Sequence, residues 1–195
     1  MIYVFTLHGA GVGHTSPFMK NFNTQLSLAL GVKVTPITLA YMKEMEVDGR
    51  RRPPPKLVTL VDEVIAQLPK NAEVVLIGKS MGARIALEIA ARIPVKCCIA
   101  LGFPFHPVGK PEKSRLHHFN GLGNTPCVVF QGNRDKFGDP SWLSGVELPE
   151  SVTLKWLSGL DHDFQGLKRE GYCAVEVMKY LVEEVVPWCT GKIED

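Results

Sequence analysis

Two rhythms of apolar residues alternate along this chain. Short, strand-like runs rich in apolar residues recur at Ile2–Leu7, Val32–Leu39, Val74–Ile77, Val95–Leu101, Cys127–Gln131 and Val152–Leu157. Runs of this length predict strands, and Ile2–Leu7, β-branched and aromatic without polar alternation, predicts one that is buried. Between them the apolar residues fall at helical steps. Phe18, Phe22, Leu26 and Leu30 predict a helix from Pro17 to Leu30, with Ser16 as its N-cap. Leu57, Leu60, Val61, Val64, Ile65 and Leu68 predict a second, ending at Pro69. Met81, Ile85 and Ile89 mark a third, stopped by Pro94. Val175, Met178, Leu181, Val182 and Val185 mark the last, from about Lys168 to Val186, with Pro187 as its terminator.

The remaining segments are polar or rich in glycine and proline. Tyr41 to Pro55 reads as a long connection whose three prolines forbid a helix before about Lys56. Gly102 to Gly123 is the longest irregular stretch, with room for a short helix near Lys113 to Phe119. Asp139-Pro140 has the form of another helix start. Pro36 cannot donate a ladder hydrogen bond, so its strand belongs at a sheet edge. Strands alternating with helices predict an α/β fold in one domain over residues 1–195. Its mainly parallel six-stranded sheet carries helices on both faces. In such sheets ligands bind beyond the carboxyl ends of the strands.

Composition narrows the function classes. The 22 basic residues nearly balance the 20 acidic ones, giving a net charge of +2. This argues against a nucleic-acid or membrane-surface role. Arg50-Arg51-Arg52 is the only dense basic spot and reads as a solvated loop. With the prolines after it, it could also serve as an exposed polyproline-type handle. The five cysteines lack C-x-x-C spacing, and Cys97, Cys98 and Cys127 sit in strand-like runs. Reduced, buried thiols in a cytoplasmic protein are the expectation. The N-terminus is apolar for only six residues after Met1 and has no basic region, so it reads as neither signal peptide nor membrane span.

The chemistry centres on Gly78-Lys79-Ser80-Met81-Gly82, a G-x-S-x-G pentapeptide between a strand and a helix. Strand, sharp turn with serine, then helix is the context of a nucleophile elbow. A serine hydroxyl is a poor nucleophile at neutral pH. It needs a histidine to take its proton, and the histidine needs an acid to fix its tautomer. Ser80, Asp135 and His162 occur in the order this architecture uses, each in a loop after a strand. Asp139 is the weaker acid, because Pro140 makes it look like a helix cap. His162 lies between Asp161 and Asp163, but no second cluster has ligand spacing, so neither a metal nor another cofactor is expected. The competing histidines are assigned elsewhere: His8 to bracing its loop, His14 to a loop, and His106, His117 and His118 to pocket rim and surface. The oxyanion donors expected are the backbone N–H groups of Met81 and of Ala10, with Gly11 second. His8-Gly9-Ala10-Gly11 is not a dinucleotide loop, since G-x-G-x-x-G would need glycine where His14 stands. Phe18, Phe103, Phe105, His106 and Phe137 are pocket-wall candidates by position. Lys79 has no role in this pattern; a cation there could lie along the surface or touch the acyl pocket.

HGAG with downstream SPFM, RRPPP, GKSMGAR, LGFPFHPVGKPEK with Arg115, QGNRDKFG and DHDF together span nearly the whole chain. In this combination the chain resembles the small α/β-hydrolase superfamily, near dienelactone-hydrolase-like proteins. More narrowly, it resembles hydrolases grouped with the testis-expressed protein and NSL-complex subunit 3 type. The resemblance implies a compact α/β-hydrolase fold without a lid domain, with Ser80, Asp135 and His162 matching the triad. It implies no substrate. The expected activity is cleavage of a small ester or thioester through an acyl-enzyme, by a monomer or homodimer. The alternative is a catalytically idle module that binds a partner or ligand.

Overall fold

The structure, a computed structural model, describes residues 2–167, 169 and 171–192. Among these, six strands form one sheet in the order β2-β1-β3-β4-β5-β6, and all five pairings are parallel. The strands are β1 (Ile2–Leu7), β2 (Val34–Ile37), β3 (Glu73–Lys79), β4 (Cys97–Leu101), β5 (Cys127–Gly132) and β6 (Val152–Leu157). β2 forms one edge, as Pro36 requires.

The central strands β3, β4 and β5 are buried almost throughout because both sheet faces are covered. In β3, Val74 and Leu76 face one core, while Val75 and Ile77 face the other. The first core packs under α2 (Ala40–Asp48), α3 (Leu57–Ile65) and α4 (Met81–Ala90). The second packs under α1 (Pro17–Leu30) and, at the far end of the chain, α6 (Ala174–Thr190). The short α5 is Pro140–Leu143, and a single 3₁₀ turn at Leu116–Phe119 stands where a short helix was expected. All five cysteines are free; four are buried and Cys173 is exposed. Burial pushes the Cys97 thiol up to about 12. No helix among the described residues is long and apolar enough to cross a membrane.

α3 stops at Ile65, short of Pro69, and two other helices depart further from the expected boundaries. α2 lies inside the segment expected to be a connection. Its residues are helix formers, and Gly49 closes it in the left-handed conformation (φ 70°), its N–H donating to Met45 O. The prolines at 53–55 lie beyond that cap, so they restrict the loop to α3 and not the helix. α6 begins at Ala174; Lys168, the expected start, lies outside the described residues. It also continues through Pro187 to Thr190. Trp188 and Cys189 are buried beyond the proline, and the Cys97 Sγ–H donates to Trp188 O at 3.3 Å. That anchoring compensates for the helix bond that the proline ring removes.

The chain order places the site. β1 connects outward to β2, and the chain then crosses back to lay β3 on the other side of β1. The loops after β1 and β3 therefore face each other at the point where the winding reverses, the usual ligand crevice of an open parallel sheet.

Candidate active site

Ser80 joins β3 to α4 with φ 54° and ψ −111°, a backbone strained for a residue with a side chain. The flanking glycines make this turn sterically feasible. A Cβ on Gly78 would lie 2.2 Å from the backbone of Gly82 and Ala83, and one on Gly82 would lie 2.3 Å from Leu7 O. β3 and α4 thus pack backbone against backbone, and the turn lifts the serine hydroxyl over the end of the sheet.

The hydroxyl meets a histidine there. Ser80 Oγ lies 2.9 Å from His162 Nε2, and His162 Nδ1 lies 2.7 Å from Asp135 Oδ2. A carboxylate only accepts, so Nδ1 carries the proton and Nε2 accepts from the serine. Asp135 is fully buried. Its Oδ2 also accepts from Gln131 Nε2 at 2.9 Å, and its Oδ1 accepts from the Phe137 N–H at 2.8 Å. Gln131 donates in addition to Gly138 O at 3.1 Å. Its own Oε1 is buried and meets no hydrogen-bond partner among the described residues. Gln131 thus fixes the acid, although in the sequence it is only the polar end of a strand. Asp139 is elsewhere: its Oδ1 caps α5 by accepting from the Trp142 N–H.

The loop after β1 is held from two sides. His8 is buried, with Nδ1–H donating to Gly9 O at 2.7 Å and Nε2 accepting from the Leu39 N–H at 3.1 Å. Both bonds require a neutral ring, and burial accordingly lowers its pKa. Tyr41, from α2, donates its hydroxyl to Ala10 O at 2.9 Å. This orients the peptides beside Ser80; burial, with Glu63 nearby, pushes the phenol up to about 12. Met81 is the first residue of α4, so its N–H has no partner within the helix.

A cavity of about 480 Å³ opens at this point. Its walls include Gly9, Ala10, Gly11, Val12, Pro17, Phe18, Met19, Lys79, Ser80, His162, Asp163 and Gln165. Of the five aromatic and histidine wall candidates, Phe18 alone lines it. Phe103 and Phe105 are fully buried and pack with Phe119 in the core, with ring centroids 4.7–5.9 Å apart. His106 packs on Trp142, 4.8 Å away. Phe137 stacks on the other side of the site, its ring 4.3 Å from that of His162. Phe103 and Phe105 follow a strand end as expected, but their side chains turn into the core rather than over the end of the sheet.

His14 lies in the loop after β1, as expected, whereas His118 is not at the rim or surface. His14 is buried between the hydroxyls of Thr6 and Thr38, at 3.3 and 3.2 Å. His118 is buried as well. Its Nδ1–H donates to Glu88 at 2.6 Å, and its Nε2 accepts from the Arg84 Nε–H at 3.1 Å, so it is neutral. The Asp161-His162-Asp163 triplet resolves into three jobs. Asp161 Oδ1 accepts the N–H groups of Asp163 and Gln165 and so shapes the loop. Asp163 faces Lys79 at 3.8 Å.

Comparison with known proteins bears on this architecture. A search of curated proteins finds no sequence match. Among solved structures, the chain is similar to an alpha-beta serine hydrolase homologue from Coxiella burnetii, with a TM-score of 0.61 at 16% identity over 95% of this chain and 86% of that one. It is similar to the esterase Pf2001 of Pyrococcus furiosus, with a TM-score of 0.62 at 15% identity over 96% and 82%. It is also similar to Est1E from Butyrivibrio proteoclasticus, a structure with ferulic acid bound, with a TM-score of 0.57 at 13% identity over 95% and 90%. At these identities the likeness concerns the fold. The family model for the alpha/beta hydrolase domain matches residues 2–190. The chain therefore belongs to the alpha/beta hydrolase family, and its fold is the compact form of that architecture.

Proposed function

We propose that the protein is a serine hydrolase that cleaves a small ester or thioester through an acyl-enzyme, in the dienelactone-hydrolase-like branch of its family. The observation that carries this reading is the continuous hydrogen-bond chain from Ser80 through His162 to the buried Asp135. Ser80 Oγ attacks the carbonyl carbon while His162 Nε2 takes its proton. Asp135 holds the Nδ1–H and stabilises the imidazolium. The oxyanion accepts from the N–H groups of Met81 and Ala10, and His162 then protonates the leaving group. Water, deprotonated by the same imidazole, releases the acyl group. The esterases among the structural neighbours support the reaction class. The mainly apolar cavity supports a short, uncharged acyl group. A smaller adjoining cavity beyond Phe18, of about 260 Å³, is lined by Phe164, Val177 and Met178 and would take a longer chain.

A fluorophosphonate probe tests the reading: the wild type should be labelled and Ser80→Ala should not. Turnover of p-nitrophenyl acetate should fall on the order of 10⁶-fold in Ser80→Ala. A folded wild type that the probe never labels overturns the proposal.

A further inference from the structure

Lys79 is a buried cation beside the nucleophile. Its side chain is 9% exposed, and its Nζ donates to the backbone carbonyl of His162 at 2.6 Å. The Phe164 ring covers it at 5.2 Å, and the exposed Asp163 carboxylate stands 3.8 Å away. Burying an ammonium is costly unless its donors and charge are met. Burial lowers its pKa, and Asp163, Asp135 and Asp161 oppose that shift. The surrounding backbone is shaped to this contact. Phe164 takes a positive φ of 58°, which turns the loop back over the ammonium. On the other side stands Gly102, at φ 65°; a Cβ there would lie 3.2 Å from His162 O and 3.4 Å from both Lys79 Nζ and His162 Nδ1. Glycine at that position leaves the room in which lysine and histidine meet.

We propose that Lys79 is a positioning residue: by holding the carbonyl of His162 it sets the imidazole at hydrogen-bond distance from Ser80. The catalytic part of this role rests on the serine-hydrolase reading above. Lys79 and Ser80 are consecutive on one rigid strand end. The latch therefore references the base to the same backbone that carries the nucleophile, and the loop after β6 cannot drift independently. An anion-binding role for the lysine is opposed by the Asp163 carboxylate, which already stands 3.8 Å from its ammonium.

Lys79→Met keeps the stem and removes the donor and the charge. For p-nitrophenyl acetate, kcat should fall about 10²-fold with KM unchanged, the scale expected when a catalytic group is displaced by an ångström. Lys79→Arg, which can still donate to the carbonyl, should recover most of the rate. Long-range ¹H–¹⁵N spectra of the imidazoles give a second readout that needs no turnover. His162, assigned by comparison with His162→Gln, should show a single Nδ1–H tautomer in the wild type and averaged tautomers in Lys79→Met. If Lys79→Met does not fold, Lys79→Gln removes the charge and shortens the reach, and the same comparison applies. Unchanged kcat and unchanged imidazole signals overturn the latch. So does a raised KM at constant kcat, which would make Lys79 a substrate contact. If the probe never labels the wild type but the tautomer still depends on Lys79, the hydrolase reading fails and the latch stands.

Discussion

Among single residues, the acid of the hydrogen-bond chain is the sharpest case. Asp135 and Asp139 lie four apart in one loop, yet only Asp135 reaches His162. An asparagine at 135 would present an amide to a site that already supplies donors from Gln131 and the Phe137 N–H. It would also lose the acceptor that fixes the histidine tautomer. Asp135→Asn should therefore lower kcat/KM for p-nitrophenyl acetate about 10⁴-fold. Asp139→Asn should leave it within about twofold, because asparagine caps a helix as well as aspartate does. Equal losses would refute the assignment. The chain order and strand-end position of Asp135 were legible in the sequence. Gln131 was not, since a polar residue closing a strand carries no signal of what it will face.

The most informative element is α2. Its pattern is weak: Tyr41 and Met42 are buried, while most of its other residues are solvated. The prolines that follow dominate a local reading, although the helix ends before they begin. Packing decides the matter, because Tyr41 and Met42 fill the first core and the tyrosine hydroxyl then reaches Ala10 O. Tyr41→Phe keeps the ring and removes one hydrogen bond, worth about 0.5–1.5 kcal/mol. If the loop after β1 supplies the proposed oxyanion donor, holding it less firmly should drop kcat for p-nitrophenyl acetate up to about tenfold with little change in KM. No change in kcat would show that His8 alone fixes the loop.

For the molecule as a whole, stability should depend on the neutral histidines buried in it. His14 sits between Thr6 on β1 and Thr38 after β2, and burial, helped by His8, lowers its pKa from 6.5 to about 4. Below pH 6.5 the unfolded chain binds a proton at this residue that the native state refuses until about pH 4. Stability is then lost as pH falls through that window, with no further loss from this group below it. The melting temperature of the wild type should fall more steeply between pH 6.5 and 4 than that of His14→Gln. Parallel curves would remove His14 from the account.

At the same scale, the two sources of information separate. The sequence by itself determined the six strands, the parallel α/β architecture, the elbow at Ser80 and the chain order of Ser80, Asp135 and His162. Each of these follows from local rules: short apolar runs form strands, helical spacing covers the sheet, and glycines allow one strained turn. The tertiary structure alone decided which neighbours those residues meet. It turned Phe103 and Phe105 into the core, carried α6 past Pro187, seated Gln131 on Asp135, brought Tyr41 to the loop after β1 and closed Lys79 on the carbonyl of His162. Those contacts join residues on different elements, 83 positions apart in the case of Lys79 and His162. No periodicity within a single segment encodes them, because each partner's direction is set by how the elements pack.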